Sequence, residues 1–545
     1  MNVAEAVGRA LVEAGIERTF GVVGSGNFTV TNAMVAAGAP FVAARHEGGA
    51  ATMADAYART SGRLAAVTVH QGCGLTNAMT GITEAAKSRT PMVVVAAEAT
   101  APRSNFYVDQ PGLAEAVGAR SLRVEAAESA VETAVRAVAL ARHERRTVLL
   151  NLPIDVAEAE VRDLAATAPA PEAPPPVAPD PADVQALTAA LDRAERPVFI
   201  AGRGARSDTA RTALGTLAEQ CGALLATSAV AKGLFRENPW TLDVSGGFAS
   251  PLAAELIADA DVVVGWGTAL NMWTTRHGRL IGPDAYLVQV DDEQQALGAH
   301  REIALGVLGD VAETARAVAD KLDVRTTTGY RTDAVGAAIA GRGEWLRTSY
   351  DDTSTDERID PRALTAAIDA RLPAERVVGV DSGNFMGYPS MFLRVPDERG
   401  FCFTQAYQSI GLGLATAIGA ALAQPGRLPV AAVGDGGLLM AAAELETVVR
   451  LGLPMLVIVY NDAAYGAEVH HFASSGADLS TVRFPQTDFA SIARGYGYQA
   501  VTVRSPADLG PLDEWLAGPR TSPLLVDALV TTDEPAWWLA EAFGH

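Results

Sequence analysis

PVAAVGDGGLLMAAAELETVVRLGLPMLVIVYNDAAYGAE, Pro429 to Glu468, is the stretch on which the reading of this chain turns. Pro429–Val433 is a short apolar run closed by Gly434-Asp435-Gly436-Gly437. A helical pattern follows, roughly Leu438 to Leu451, and then a second apolar run, MLVIVY, ends at Asn461-Asp462. A buried strand, a helix and a second buried strand form a right-handed parallel unit. The C-terminal ends of its two strands then lie on one edge of the sheet, and Asp435 and Asp462 converge there. Two carboxylates at one edge repel unless a cation lies between them, and oxygen ligands suit Mg²⁺ or Ca²⁺. The glycines leave backbone N–H groups open to a phosphate at the helix start. A lone GDG also fits a tight strand–helix turn with an N-capping Asp; the Asn-Asp pair at the next strand end adds weight to the cation reading.

The same grammar runs through the rest of the chain. Candidate strands are Thr19–Val23, Phe41–Arg45, Leu64–His70 and Met92–Ala97; then Val198–Ala201, Ala223–Thr227, Val262–Gly265 and Tyr286–Val290; then Val377–Val380, Pro429–Val433, Met455–Tyr460 and Leu524–Leu529. Helical patterns separate them, which predicts an α/β protein with parallel sheets flanked by helices. A Pro/Ala-rich stretch over 166–183 reads as a linker. A polar region near Val324 to Asp360 marks a second boundary. The expected division is 1–165, linker 166–183, 184–340 and 341–545.

Composition narrows the class. The 545 residues are 49% apolar and 20% charged, the balance of a folded chain rather than a disordered one. No apolar run reaches the roughly 18 residues of a membrane span, and the N-terminus lacks a signal-peptide layout. A net charge of −21 disfavours nucleic-acid binding. Three scattered cysteines, Cys73, Cys221 and Cys402, make neither a disulfide framework nor a CxxC metal site. A cytoplasmic protein without membrane or nucleic-acid partners is expected.

The GDG…ND spacing resembles the thiamin-diphosphate signature, GDG followed about 25 residues later by NN. QAYQSIGLGLATAIG, Gln405–Gly419, is similar to the Gly-rich segment that precedes it, and NDAAYGAE, Asn461–Glu468, to the extension that follows. RHEGGAATMADAYARTSG, Arg45–Gly62, matches RHE-x-GA-x-x-MA-x-x-YAR-x-(S/T)G almost throughout. The chain is identified on these motifs as a member of the superfamily of acetolactate synthase, pyruvate decarboxylase and benzoylformate decarboxylase. The resemblance implies a thiamin-diphosphate-binding fold in the first and third domains and a dinucleotide-fold-like central domain. It also implies a homodimer or homotetramer, because the first domain of one subunit faces the third domain of another.

Carried over by position, the resemblance implies Mg²⁺ ligation by Asp435, Asp462 and the Ala464 carbonyl, with Asp462 standing where the family usually has Asn. It implies cofactor contacts from Asn384, Gln408, Ile410, Gly434, Gly436, Gly437, Tyr465 and Gly466. Ile410 would be the apolar wedge that bends the cofactor, although simple core packing is the default for such a residue. Glu47 would contact N1′ of the aminopyrimidine and activate the cofactor; read alone, it is also a helix-initiating carboxylate favoured by the dipole. His70-Gln71-Gly72-Cys73-Gly74 replaces the loop usual in acetolactate synthases and places a His at a strand end, as in benzoylformate decarboxylase. Ser25 matches that enzyme's active-site serine.

Glu468 matches the pocket glutamate of pyruvate decarboxylase, and His471 stands where acetolactate synthases carry a Trp. The catalytic candidates are therefore Glu47, His70, Glu468, Ser25, Gln71 and His471. In the central block, Gly202–Ala205, Gly267 and Asp291-Asp292 are the dinucleotide-like features. The flavin-loop residues expected around Val244–Ala249 are not recognisable, so no FAD is expected. The implied reaction is decarboxylation of a 2-oxo acid with carboligation to a second carbonyl acceptor. A simple decarboxylase releasing an aldehyde is the alternative, and a non-catalytic cofactor-binding paralogue is the contrasting class.

Overall fold

Three six-stranded sheets, all of them wholly parallel, follow one another along the chain. They were found in a computed structural model that describes residues 1–161, 172–322, 328–532 and 536–542. Part of the stretch read as linker, 166–171, lies outside the described residues. Residues 172–180 run without helix or strand, all exposed but the half-buried Pro179, and helix Pro181–Arg193 begins inside the stretch read as linker. Asp180 starts it by accepting from the Ala182 N–H at 2.7 Å, with Pro181 at the first helical position. Among the described residues no helix is long and apolar enough to cross a membrane.

The first sheet comprises β1 Ile16–Gly21, β2 Phe41–Ala43, β3 Leu64–Val69, β4 Met92–Glu98, β5 Arg120–Arg123 and β6 Thr147–Pro153, in the order β2-β1-β3-β4-β6-β5. The second comprises β7 Pro197–Ala201, β8 Leu224–Thr227, β9 Thr241–Val244, β10 Val262–Trp266, β11 Tyr286–Asp291 and β12 Leu305–Leu308, in the order β12-β11-β10-β7-β8-β9. That is the doubly wound dinucleotide-fold order. The third comprises β13 Arg376–Val380, β14 Phe401–Phe403, β15 Leu428–Gly434, β16 Leu456–Asn461, β17 Gln499–Val503 and β18 Leu524–Leu529. Its order, β14-β13-β15-β16-β18-β17, repeats the first sheet strand for strand.

All twelve expected strands are present. Of the six not expected, β5, β9, β12, β14 and β17 are sheet edges, where partial exposure or short length removes the continuous apolar run. The sixth, β6, is fully buried but carries Asn151, whose side chain donates to Ser121 and Leu122 of the neighbouring β5. The helix expected over Leu438–Leu451 is two, Asp435–Met440 and Glu444–Arg450. The break turns the Glu444 carboxylate towards the first domain, where it accepts backbone N–H groups.

The first and third domains share one hydrophobic core, which includes Phe20, Val67, Leu75, Leu414, Ile418 and Val433. At its centre the Ala-rich helix Glu47–Ser61 lies against the equally small-sided helix Gly413–Ala423. A Cβ at Gly419 would overlap the Met53 carbonyl oxygen, so glycine sets the approach distance.

Candidate active site

β15 and β16 are parallel neighbours, with Gly434 opposite Tyr460. The residues that follow, Asp435 and Asp462, therefore meet at one edge. Asp435 accepts from the Gly436 N–H at 2.7 Å, and Asp462 from the Ala464 N–H at 3.1 Å. Burial pushes the Asp435 carboxyl up to about 6. Burial, reinforced by the charge of Asp435, pushes Asp462 up to about 8. A buried and a half-buried carboxyl at one edge, with the charge of one disfavouring ionisation of the other, are a donor set for a divalent cation. Among the described residues no cluster of three His, Cys, Asp or Glu forms a metal site, and a cation between the two carboxyls would need further ligands from backbone or a bound phosphate.

The surrounding backbone forms a glycine-lined cradle. A Cβ at Gly436 would sit 2.6 Å from the Tyr465 ring. Side chains at Gly437 and Gly466 would overlap carboxylate oxygens of Asp381 and Asp462. Asn384, beside Gly466, has a buried Oδ1 without a hydrogen-bond partner. Gln408 and Ala463 hold φ of 61° and 56°, left-handed conformations that cost energy in residues with a Cβ and recur at functional loops. The orphaned Asn384 oxygen fits a cation, and a glycine cradle closed to side chains fits a phosphate beside it. The residues that could hold them are Asp435, Asp462, Asn384, Gly436, Gly437 and Gly466. Ile410 is half-buried and Gln408 exposed.

Asp381, which the sequence reading missed, lies against the Gly437 turn of this cradle. It is fully buried at the end of β13 and accepts from the N–H groups of Ser382, Gly411 and Leu412 at 2.8, 3.0 and 3.1 Å. It thereby ties the loop after Ile410 to the Gly437 turn. Its signal was present: Asp381-Ser-Gly-Asn384 closes an apolar run as Gly434–Gly437 does.

In the first domain, Glu47 opens helix Glu47–Ser61 after the N-cap His46, whose Nδ1 accepts from Gly48 N–H at 3.0 Å. The Asn77 amide donates to Glu47 Oε2 at 3.1 Å, a contact the sequence reading also missed. Gly74 separates Glu47 from His70: a Cβ there would lie 3.5 Å from Glu47 Oε1 and 3.2 Å from His70 Cβ. His70 Nδ1 accepts from Gly26 N–H at 3.2 Å, so the neutral ring carries its proton on Nε2. Phe106 meets the His70 ring edge-on at 5.2 Å. Gln71 is buried with an unpartnered Oε1 against Gly26. The structure thus brings Glu47, His70 and Gln71 into one neighbourhood, with the exposed Ser25 on the adjoining loop. Glu468 and His471 are exposed on helix Gly466–Phe472 of the third domain.

The central domain presents a cavity of about 830 Å³ beyond the C-terminal ends of its strands, lined by Arg203, Ser228, Asn271 and Asp291 and reaching Gln405 and Gln408. The turns after β7 and β10 close on each other there, with Gly204 N–H donating to the Gly267 carbonyl at 3.0 Å.

Comparison with known proteins agrees with this geometry. Residues 1–117, 184–318 and 381–528 match the N-terminal TPP binding domain, central domain and C-terminal TPP binding domain of thiamine pyrophosphate enzymes. The chain is 30% identical over 549 residues to a sulfoacetaldehyde acetyltransferase of Castellaniella defragrans, covering 94% of this chain and 90% of that protein. It is 30% identical over 527 residues to a probable 2-ketoarginine decarboxylase of Pseudomonas aeruginosa, covering 94% and 91%. Its fold superposes on a thiamine diphosphate-dependent 4-hydroxybenzoylformate decarboxylase of Rhodococcus jostii with a TM-score of 0.82, at 22% identity, over 98% of this chain and 100% of that one. The chain belongs to the thiamine pyrophosphate enzyme family. It is a thiamin-diphosphate-dependent enzyme of the transferase or lyase type.

Proposed function

We propose that the chain decarboxylates a 2-oxo acid in a Mg²⁺-dependent reaction and transfers the remaining acyl unit to a second carbonyl compound. The observation that supports this reading is the pairing of Glu47, in a neighbourhood with His70, with a carboxylate pair and glycine cradle in the third domain. When bound, thiamin diphosphate supplies a nucleophilic carbon and a cationic ring that takes up the electron pair left by CO₂. Glu47 holds the proton exchanged with the aminopyrimidine N1′. Asp435, Asp462 and the Ala464 carbonyl hold the cation. His70 offers an Nε2 proton on the substrate side. Full-length similarity to an acetyltransferase supports acyl transfer, and equal identity to a decarboxylase supports the decarboxylating step.

A simple decarboxylase is the second reading, favoured by His70 at the strand end and by Glu468. Product analysis with pyruvate, with and without an acceptor aldehyde, separates the two; aldehyde as the sole product in both would overturn carboligation. A CO₂-release screen across 2-oxo acids identifies the substrate.

The working unit we propose is a homodimer or a dimer of dimers in which Glu47 of one subunit meets the carboxylate pair of another. Exposed apolar residues beside both half-sites support it: Phe28, Phe106 and Tyr107 in the first domain, Leu439, Met440 and Phe472 in the third. A monomer in sedimentation at working concentration that retained full activity would overturn it. We propose further that the central cavity holds no flavin, since the glycines after β7 and β10 serve to pack their turns together. A flavin absorbance band in the purified protein would contradict this.

A further inference from the structure

Two buried glutamates cross the interface between the first and third domains in opposite directions. Glu84, on helix Cys73–Lys87, accepts from the backbone N–H groups of Ala406 at 3.1 Å and Tyr407 at 2.7 Å. Those residues directly precede Gln408 and Ile410. Glu444 accepts from the N–H groups of Arg45 and His46, both at 3.0 Å. Those residues directly precede Glu47. Each glutamate works beside an arginine of its own domain. Arg59 donates to the carbonyl of Phe403, the last residue of β14, at 3.0 Å, and Arg450 to that of Ala43, the last residue of β2, at 2.5 Å. β2 and β14 hold the same place in two sheets of identical order, as do the strands β3 and β15 that precede the two glutamates. The two glutamate contacts are thus equivalent about an approximate twofold relation, while the arginines beside them come from different places, Arg59 before β3 and Arg450 after β15.

The surroundings hold each contact rigid. Glu84 is pinned by Arg59 at 2.7 Å. Glu444 accepts from the Thr447 hydroxyl at 2.6 Å. A Cβ at Gly49 would stand 2.5 Å from Glu444 Oε1, so the helix that begins at Glu47 has glycine where the glutamate comes through. Two adjacent N–H groups bound to one carboxylate fix the direction of the chain as it leaves the strand.

We propose that Glu84 and Glu444 are reciprocal positioning residues: Glu444 sets the placement of Glu47, and Glu84 that of the Gln408–Ile410 loop. The two half-sites presented by one chain are thereby held in fixed register. This rests on the reading of Glu47, Gln408 and Ile410 as cofactor contacts.

The test begins with amide hydrogen exchange on the cofactor-free, full-length protein. Glu444→Ala is expected to speed exchange at Arg45 and His46 at least tenfold and to leave Ala406 and Tyr407 unchanged; Glu84→Ala should do the reverse. Glu444→Gln keeps an oxygen acceptor and should restore protection. Gly49→Ala, which crowds that acceptor, should reproduce the Glu444→Ala pattern and serves if Glu444→Ala fails to fold. In protein loaded with thiamin diphosphate and Mg²⁺, Glu444→Ala should slow hydrogen exchange at the cofactor C2 at least tenfold with less than a threefold change in cofactor Kd. Glu84→Ala should raise that Kd at least tenfold. Unchanged amide exchange in both alanine variants, or equal impairment in Glu444→Gln and Glu444→Ala, would overturn the proposal. Undiminished C2 exchange in Glu47→Gln would instead overturn the reading of Glu47, a result independent of the amide data.

Discussion

Gly419 faces the carbonyl oxygen of Met53 across the helix pair that joins the first and third domains, with no room for a methyl group between them. The opposing atom is backbone and cannot rotate aside. Gly419→Ala should therefore destabilise the protein by about 1–3 kcal/mol, the usual range for overpacking, despite alanine's better helix propensity. Thermal or denaturant unfolding measures this, and a neutral or stabilising effect would show that the helices shift apart freely.

Glu47→Gln should abolish or severely depress turnover while leaving cofactor binding nearly intact, because the residues proposed to hold the diphosphate lie in the third domain. Asn77→Ala should cost less, since it removes one hydrogen bond, at 3.1 Å, to that carboxylate. Steady-state kinetics beside a cofactor titration checks both; near-normal kcat in Glu47→Gln would defeat the catalytic assignment.

Removal of the cation with EDTA should abolish activity, and Mg²⁺ with thiamin diphosphate should restore it. Asp435→Ala should not be rescued. Asp462→Asn removes a carboxyl whose ionisation burial and the Asp435 charge oppose, so the cofactor-free protein should melt higher at neutral pH while half-activation requires more Mg²⁺. Melting curves and Mg²⁺ titrations of the variant test the pair of opposed effects; a lower melting temperature would argue against repulsion at this edge.

Asp381 supplies a pH signature. Burial raises its carboxyl from an ordinary 3.8 to about 6, against the opposing effect of its N–H donors. The folded form then binds the proton more tightly than the unfolded chain. Its contribution to stability is full below pH ~4 and is lost as pH rises through about 6, by roughly 3 kcal/mol at most. The stability difference between wild type and Asp381→Asn should change across that window and level off above pH ~7. A difference that stays constant from pH 4 to 7 would contradict the shift.

Much of this was legible in the sequence. Interior strands are buried on both faces and read as continuous apolar runs, which is why VVVGW and LVIVYN were recognisable. Edge strands such as RSLR and QAVTV are half-exposed, so neither shows the continuous apolar run that marks an interior strand. Motif residues at strand ends, Glu47, His70, Asp435 and Asp462, were visible because their neighbours in sequence carry the pattern. Glu84 and Glu444 were not: each is a polar residue in a helical pattern, and its partners lie more than 300 positions away. Only the folded chain shows that they are buried. Asn77 and Asp381 fall between these cases, since each stands close to a motif but acts through a contact that spacing alone does not specify.

The shared core has a consequence for biosynthesis. The apolar side of helix Glu47–Ser61 waits for helix Gly413–Ala423, about 350 residues later in the chain. At ordinary translation rates of about 5–20 residues per second, that side stays uncovered for roughly 20–70 s while the whole central domain is made and folds. The nascent first domain is therefore expected to be open to misassociation through that side until the third domain covers it.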